Sequence, residues 1–187
     1  LADGLKFILK EDVIPNHVNK VVYVIAPAVI LVPALVGFAV VPFGDTLPVF
    51  GRQVQLIISD ADIGILYVLA VSSLGVYGVV LGGWASNNKY SLLGGLRSAA
   101  QMVSYEVFMG LSLMGVVMLT GSFSLVDIVI WQSENSWFVI PQFIGFVVFV
   151  IAGIAESHRL PFDLPEAEHE LVAGFHTEYS GMKFGLF

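Results

Sequence analysis

The chain has 187 residues, of which 57% are hydrophobic and only 12% are charged, and its mean hydropathy is +0.86. Soluble domains carry about 25% charged residues, so this composition is typical of a membrane protein. The absence of cysteine excludes disulfides, thiolate-bound zinc and cysteine-ligated iron–sulfur clusters. The net charge of −7 argues against binding to nucleic acid. Because the chain has no cysteine, any redox centre must belong to a partner or to a bound small molecule.

The first predicted element is an amphipathic helix over residues 1–14. Its apolar face carries Leu1 and Leu5, and its opposite face carries Asp3 and Lys6, a pattern typical of a helix that lies at the membrane surface. The chain begins without Met and ends on Gly-Leu-Phe, which reads like the start of a further apolar span. We therefore expect the sequence to be an internal piece of a longer membrane protein.

Four apolar segments each approach or exceed the length of about 20 residues that a helix needs to cross a bilayer. Transmembrane β-strands would alternate over about ten residues, and these runs do not alternate. The predicted fold is an all-α membrane protein with a single transmembrane domain over residues 1–187, and a further span is expected to begin near Gly181. The four complete spans are predicted at residues 21–43, 63–85, 99–121 and 137–156.

The basic residues lie almost entirely on one side of these spans, and Arg52 is the exception. Because Lys and Arg concentrate in cytoplasmic loops, the N-terminal piece and the loops 86–98 and 157–180 are predicted to face the cytoplasm or matrix. The loops 44–62 and 122–136 are predicted to face outwards. Within the first of the basic loops, Ser-Asn-Asn at 86–88 predicts a short turn.

Two acidic residues lie within or at the end of a predicted span. Glu106 lies inside the third span, where a carboxylate costs on the order of 2.5–3.5 kcal/mol. It could reach towards the cytoplasmic end and pair with Arg97, or it could carry a proton in a hydrated cavity. Glu156 closes the fourth span, three residues before Arg159, so that an ion pair and a proton relay both remain open.

A cluster of carboxylates follows in the 157–180 loop. Asp163 and Glu166 fit a capping box, with Asp as N-cap, whereas Glu168 and Glu170 are not explained in this way. Crowded carboxylates exchange protons as a coupled set, so the cluster could respond to a charge that arises nearby. A metal site is the alternative, although His169-Glu170 does not continue into the HExxH zinc motif.

Three stretches resemble signatures of one family. Residues 155–184, AESHRLPFDLPEAEHELVAGFHTEYSGMKF, resemble the long cytoplasmic loop of subunit 1 of respiratory complex I, the proton-pumping NADH:quinone oxidoreductase. In bacteria the same component is known as the H subunit. Residues 83–106, GWASNNKYSLLGGLRSAAQMVSYE, resemble a second signature of the family, and ADGLK at residues 2–6 resembles a third. The likeness extends over the whole chain.

The resemblance implies a membrane subunit with about eight helices when complete, at the junction of the two arms of the complex. Such a component encloses part of the quinone chamber and couples quinone reduction to proton translocation. It belongs to an enzyme, a translocase, without holding a redox centre. Quinone would bind at its interface, and NADH, FMN and iron–sulfur clusters would belong to partner subunits. A bacterial inner membrane is the expected location, with lipid and other complex I subunits as partners.

The resemblance also assigns roles to individual residues. It implies a proton path through Glu106, Glu156, Glu170 and Glu178. It further implies that the quinone chamber and its loop use Asp3, Arg97, Arg159, Asp163, Glu166 and Glu168. The family's first helix is missing from this sequence, together with the helices after Phe187.

Three alternatives remain open from the sequence. A membrane-anchor subunit of an energy-converting hydrogenase would share the fold, although the PFDLPEAEHELVAGF loop looks like that of the quinone enzyme. A stand-alone ion or metal transporter would use the Glu and His residues of the loop, including His169 and His176. A purely structural membrane scaffold would tolerate substitution of every buried acid.

Overall fold

The computed structural model describes residues 6–7, 9–44, 46–49, 51–158, 161–162 and 174–187. The helices in these ranges are α1 (Lys20–Gly37), α2 (Gly64–Ala85), α3 (Lys89–Thr120), α4 (Leu125–Glu134), α5 (Phe143–Glu156) and α6 (Gly181–Gly185). The remaining elements are strands β1 (Thr46–Val49) and β2 (Arg52–Gln55) and the 3-10 turns Phe38–Val40 and Gly174–His176. Of the predicted surface helix, Lys6, Phe7 and Leu9 are helical, and residues 1–5 and 8 lie outside the described ranges.

Three helices in the described part of the chain are long and apolar enough to cross a membrane. They are α1 continued to Val40, α2 and α3, with mean hydropathies of 2.5, 2.1 and 1.7. The fourth predicted span is shorter than expected, because α5 has 14 residues and a length of about 21 Å, against about 30 Å for the bilayer core. Turns at 138–142 precede it, and Pro141 there disfavours helical geometry at the residue before it.

Glycines set how closely the long helices pack. A Cβ on Gly78 of α2 would lie 2.3 Å from Ile30 Cγ1 of α1. A Cβ on Gly83 would lie 2.8 Å from the carbonyl oxygen of Ser91 on α3. Small residues at helix contacts let backbones approach, as is common in membrane bundles. The C-terminal half of α2 is thereby held between α1 and α3.

The turn between α2 and α3 confirms one prediction and corrects another. Ser86-Asn87-Asn88 forms the predicted turn, with Asn87 at a φ of +49°, a conformation that Asn tolerates. The predicted loop 86–98 is wrong beyond this turn, because α3 begins at Lys89 rather than near residue 99. Asn88 caps the helix by accepting a hydrogen bond from the Tyr90 amide at 3.0 Å, which stabilises a helix start at this point.

The opposite end of the bundle contains structure where loops were predicted. Strands β1 and β2 form an antiparallel hairpin with Val49 opposite Arg52, so the all-α prediction is wrong for this short segment. Gly51 in its turn has a φ of +78°, which glycine adopts freely. Helix α4 lies in the predicted 122–136 loop, and the Ser124 side chain caps it by accepting from the Asp127 amide at 3.4 Å.

Among the described residues, two clusters of buried apolar side chains lie at opposite ends of the helices. One cluster lies at the end that bears Lys20, Lys89 and Lys183, hereafter the basic end, and it centres on Tyr23 and Tyr179. The other centres on Ile65, Ile128 and Phe138. Many large apolar side chains elsewhere are exposed, such as Met118 at 84%. Such surfaces suit contact with lipid or with neighbouring subunits.

Candidate functional site

The Glu106 carboxylate lies between two long helices. Glu106 is half-buried near the middle of α3, and Ser72 and Ser73 face it from the middle of α2. The Ser72 hydroxyl donates to Glu106 Oε1 at 3.3 Å, and the Ser73 hydroxyl donates to the same oxygen. Hydrogen bonds to a charged acceptor are about twice as strong as neutral ones. The apolar helix α2 therefore presents two polar groups at the point where α3 carries an acid.

Glu156 lies at the end of α5, which packs against α3. Its Oε2 atom is buried and has no hydrogen-bond partner among the described residues. Its carboxyl also interacts electrostatically with that of Glu106. Because a buried carboxyl oxygen without a donor is costly, this atom is a place where a proton or a water molecule would be favoured. Arg159, the predicted ion-pair partner, lies outside the described residues.

One face of α3 holds the beginning of the 157–180 loop. The Gln101 side-chain amide donates to two backbone carbonyls, those of Ala155 at 3.2 Å and Phe162 at 2.8 Å. One turn earlier, Ser98 Oγ lies 3.0 Å from Nε2 of His158. One turn later, the Tyr105 ring packs edge-on against Phe162 at 5.2 Å. These contacts fix the loop beside the two carboxyls.

The same face of α3 holds the far part of the loop. The Ser91 hydroxyl donates to the carbonyl oxygen of Phe175 at 2.7 Å. Gly94 lies so close to Gly174 that an added Cβ would come within 2.7 Å of its Cα. The residues of this face recur at three- and four-residue spacing and so share one side of the helix. We call it the docking face and define it as Ser91, Gly94, Ser98, Gln101 and Tyr105.

The loop ends at the basic end in a contact that we call the clasp, formed by Tyr23, Glu178 and Tyr179. The Tyr23 hydroxyl donates to the carbonyl oxygen of Glu178 at 2.6 Å, and the Tyr179 hydroxyl donates to that of Tyr23 at 3.2 Å. The two rings stack with centroids 4.1 Å apart. Burial, followed by the interaction with Tyr23, raises the pKa of Tyr179, so its hydroxyl remains a donor at neutral pH.

Glu178 is held by different chemistry from Glu106. The Asn88 side-chain amide donates to Glu178 Oε1 at 3.0 Å, and Nε2 of His17 lies 3.8 Å from Oε2. Nearby, Lys183 and Asp12 form an ion pair at 2.7 Å. The carboxylate thus lies among side chains from the N-terminal segment and the α2–α3 turn, away from the middle of the helices.

His176 occupies an apolar environment close to the clasp. Its ring packs edge-on against Phe175 and Phe184, with centroids 5.0 and 4.9 Å away. Burial, followed by the interaction with His158, lowers the pKa of His176. The imidazole is therefore mostly neutral at pH 7.

The structure brings together some of the residues that the sequence predicted. Glu106 and Glu156 interact across α3 and α5, whereas Glu178 lies in the clasp and Arg97 is exposed on α3. In the described ranges, no group of three or more His, Asp or Glu side chains is arranged to hold a metal ion. The remaining predicted residues lie outside the described ranges: Asp3, Arg159, Asp163, Glu166, Glu168 and Glu170.

Several residues of the site were missed in the sequence. Ser72 and Ser73 are adjacent hydroxyls within an otherwise apolar span, and this interruption was the available signal. Ser91, Gly94 and Ser98 recur at helical spacing, a pattern of small residues that favours close packing in membranes. Their partners, however, lie 33 to 84 positions away in sequence, so spacing alone could not identify them.

The chain is similar to known proteins over its whole length. A family model described as NADH dehydrogenase matches residues 1–187. The chain belongs to this family. It is 58% identical over its full length to the H subunit of the NADH-quinone oxidoreductase of Methylococcus capsulatus. It is 56% identical, also over its full length, to the H subunit numbered 2 of the same oxidoreductase from Syntrophobacter fumaroxidans.

The family that the sequence motifs indicated is thereby confirmed. The chain spans about 56% of the length of the curated relatives it matches, including the H subunit numbered 1 of Geobacter metallireducens. It is a membrane protein related to a subunit of respiratory complex I. What its relatives' names say of NADH and quinone applies to those proteins.

Proposed function

We propose that this chain is part of the membrane subunit of an NADH:quinone oxidoreductase that helps to form the quinone chamber and couples quinone reduction to proton translocation. Its family and its apolar helices support this assignment. The mechanism rests on the surroundings of Glu106. Midway along α3, this carboxyl accepts hydrogen bonds from two serine hydroxyls of α2. It also interacts with Glu156, which has a buried oxygen without a donor among the described residues.

The chain itself would handle protons, since it has no cysteine to hold a cluster. NADH, FMN and iron–sulfur clusters on partner subunits would deliver electrons to quinone. Reduction would place negative charge beside the loop, where the resemblance assigns Asp163, Glu166, Glu168 and Glu170. Asp3, Arg97 and Arg159 would contribute charge around the quinone. Carboxylates near a new negative charge hold protons more tightly, and this change would start the transfer.

The docking face connects the described parts of the loop directly to α3. Gln101 and Tyr105 bind the loop within about one and a half turns of Glu106 along α3. A change of position at Phe162 would therefore be passed to α3 directly through these two contacts. Because the two carboxyls interact, the proton occupancy of one depends on that of the other.

Glu178 would belong to the same path in another role. The side-chain NH₂ of its Asn88 partner can donate to the carboxyl but cannot accept from it. We propose that Glu178 is a fixed negative charge where the loop rejoins the helices, with His17 as its neighbour on the N-terminal segment. Glu106, Glu156 and Glu170 would be the groups that change protonation.

The proposal includes an orientation and a location. The basic end would face the cytoplasm of a bacterium, because Lys and Arg favour that side, and the hairpin and α4 would face outwards. Residues 1–187 would form one transmembrane domain, continued by further helices in the complete protein. The quinone oxidoreductase names of the relatives favour this assignment over a hydrogenase membrane anchor or a stand-alone transporter.

The test is Glu106→Gln in the full-length protein within the assembled complex. Glutamine keeps the shape and can still accept a hydrogen bond from serine, but it cannot carry a proton. We expect quinone-linked turnover and proton pumping to fall by about tenfold or more, since positioned proton transfer contributes on the order of 100-fold or more. Co-purification of the partner subunits should be unchanged.

Glu134→Gln is the matched control. Glu134 is an exposed residue at the end of α4, and its substitution should leave turnover within about twofold of the unmodified complex, as surface changes usually do. Normal turnover and pumping in the Glu106→Gln complex would contradict the proposed function.

A further inference from the structure

Ser72 and Ser73 each have one hydroxyl proton and two possible acceptors. The Ser72 hydroxyl lies within hydrogen-bond distance of Glu106 Oε1 at 3.3 Å and of the carbonyl oxygen of Leu69 at 2.9 Å. The Ser73 hydroxyl likewise reaches both Glu106 Oε1 and the Leu69 carbonyl, the latter at 2.9 Å. A hydroxyl can donate only one proton at a time. Each hydroxyl can therefore donate either to the Leu69 carbonyl of its own helix or to Glu106 on α3, but not to both.

Which acceptor each serine hydroxyl uses depends on whether Glu106 is protonated. An ionised carboxylate is an acceptor only, and it attracts a donor more strongly than a neutral carbonyl does. Both hydroxyls then point towards Oε1. A protonated carboxyl has an O–H of its own, which can donate to a serine oxygen, and that serine then turns its proton to the Leu69 carbonyl. The hydrogen bonds remain satisfied in both states.

The Leu69 carbonyl limits how many serines can turn. A carbonyl oxygen has two lone pairs, and in α2 one of them accepts the helical bond from the amide of Ser73. One lone pair is left for a hydroxyl. The second serine therefore stays on the carboxyl, so Glu106 keeps a hydrogen bond across the helix contact whether or not it carries a proton.

We propose that Ser72 and Ser73 form a hydroxyl switch that holds Glu106 in one position in both protonation states. They are positioning residues, and the inference rests on the proposed function only in that Glu106 exchanges a proton. Changing the state requires rotation of hydroxyl hydrogens, a motion of picoseconds to nanoseconds, and no movement of the helices. The site can thus take up and release a proton without rearranging the α2–α3 contact.

Few charges surround this site in the part of the chain that the structure describes. Helix α2 has no Asp, Glu, Lys, Arg or His between Gly64 and Ala85, and its titratable side chains are Tyr67 and Tyr77. Helix α5 contributes Glu156, whose carboxyl interacts with that of Glu106. On α3 itself the other titratable groups are Lys89, Tyr90, Arg97 and Tyr105. Within the contact described, α2 contributes hydroxyls and no opposing charge, so the serines are its means of stabilising a negative Glu106.

The experiment titrates Glu106 in the assembled complex by infrared spectroscopy. The C=O stretch of its protonated carboxyl is identified as the band that Glu106→Gln removes, and its intensity is followed against pH. A hydrogen bond to a charged group contributes enough to change proton affinity by about tenfold or more. We expect the half-titration pH of this band to rise by about one unit in Ser73→Ala and further in the Ser72→Ala/Ser73→Ala double variant.

Three further variants make the test specific. Ser73→Thr keeps the hydroxyl and should restore the half-titration pH to that of the unmodified complex. Ser104→Ala removes a hydroxyl close to Glu106 in sequence that donates to its own helix, to the carbonyl of Ala100 at 2.7 Å, and should cause no shift. Ser72→Ala alone gives a second measurement if the double variant does not assemble.

The outcomes separate this inference from the proposed function. An unchanged half-titration pH in both single alanine variants, or equal shifts in Ser104→Ala and Ser73→Ala, would overturn the switch. A shift in the serine variants together with normal turnover in Glu106→Gln would support the switch and contradict the function. Loss of turnover in Glu106→Gln with no shift in the serine variants would support the function and overturn the switch.

Discussion

Two carboxylates of this protein differ in the donors that hold them. Glu106 accepts from hydroxyls of Ser72 and Ser73 in the middle of the helices, and Glu178 accepts from the side-chain amide of Asn88 at the basic end. A hydroxyl can accept as well as donate, whereas the NH₂ group of an amide only donates. The partners of Glu106 can therefore donate to the carboxyl or accept from it, whereas the amide that holds Glu178 can only donate.

Burial and hydrogen bonding alone do not identify a proton carrier. Both carboxyls are half-buried and both are hydrogen-bonded. What distinguishes them is whether their partners can adapt when a proton arrives. On this basis we propose that Glu178 anchors the loop as a fixed charge and that Glu106 transfers a proton. Three substitutions test the two sides of this division, beginning with the largest expected effect.

Asn88→Ala should disrupt the anchored side. The variant loses the N-cap of α3 and the bond to Glu178, which together contribute about 2–4 kcal/mol. We expect the Tm of the protein in the complex to fall by roughly 4–16 °C. Asn135→Ala, at the exposed end of α4, is the control and should change it little. A Tm unchanged by Asn88→Ala would show that the anchor contributes nothing.

Gln101→Ala should loosen the loop beside Glu106 with a smaller effect on stability. It removes the side-chain amide that donates to the carbonyls of Ala155 and Phe162. Because the Ala155 carbonyl keeps the His158 backbone amide as a donor, the cost of about 1–3 kcal/mol comes mainly from the Phe162 carbonyl. We expect a fall in Tm together with a several-fold loss of quinone-linked turnover. Gln53→Ala, on the exposed strand β2, should affect neither. Turnover that stays normal while Tm falls would separate loop docking from proton transfer.

His176 should make loop docking sensitive to pH, with the smallest effect. Burial lowers its pKa in the folded state, so the unfolded chain binds a proton more readily. Stability is then fully present above the unfolded pKa of about 6.5 and is lost as pH falls below it towards the folded pKa. Protease cleavage of the loop should therefore accelerate as the pH falls through that range, and His176→Phe should remove this acceleration. Cleavage that is independent of pH in the unmodified complex would contradict the assignment.

The sequence predicted the parts of the fold that depend on local composition. Spans 21–43 and 63–85 correspond closely to α1 with its 3-10 extension and to α2. The start of α3 was misplaced because Lys89, Arg97 and the Gly94-Gly95 pair lower hydropathy and helix propensity. The two glycines fit the helix because they pack against Gly174 and Gly83, and those contacts are not visible in the sequence.

The site divides in a similar way. Glu106 and Glu156 could be singled out as candidates because an acid in or at the end of an apolar span is unusual. The hairpin and α4 were missed because their elements are short and partly polar, such as Arg52–Gln55. Ser72, Ser73 and Asn88 were missed as partners because serine and asparagine are common in helices and turns. Their significance comes from the carboxylates opposite them, which only the folded chain shows.

The most direct measurement is the infrared difference spectrum of the assembled complex between oxidised and reduced quinone. If Glu106 changes protonation and Glu178 does not, a carboxyl C=O band should disappear in Glu106→Gln and remain in Glu178→Gln. The opposite pattern, with the band retained in Glu106→Gln and lost in Glu178→Gln, would contradict the division between a proton carrier and a fixed charge.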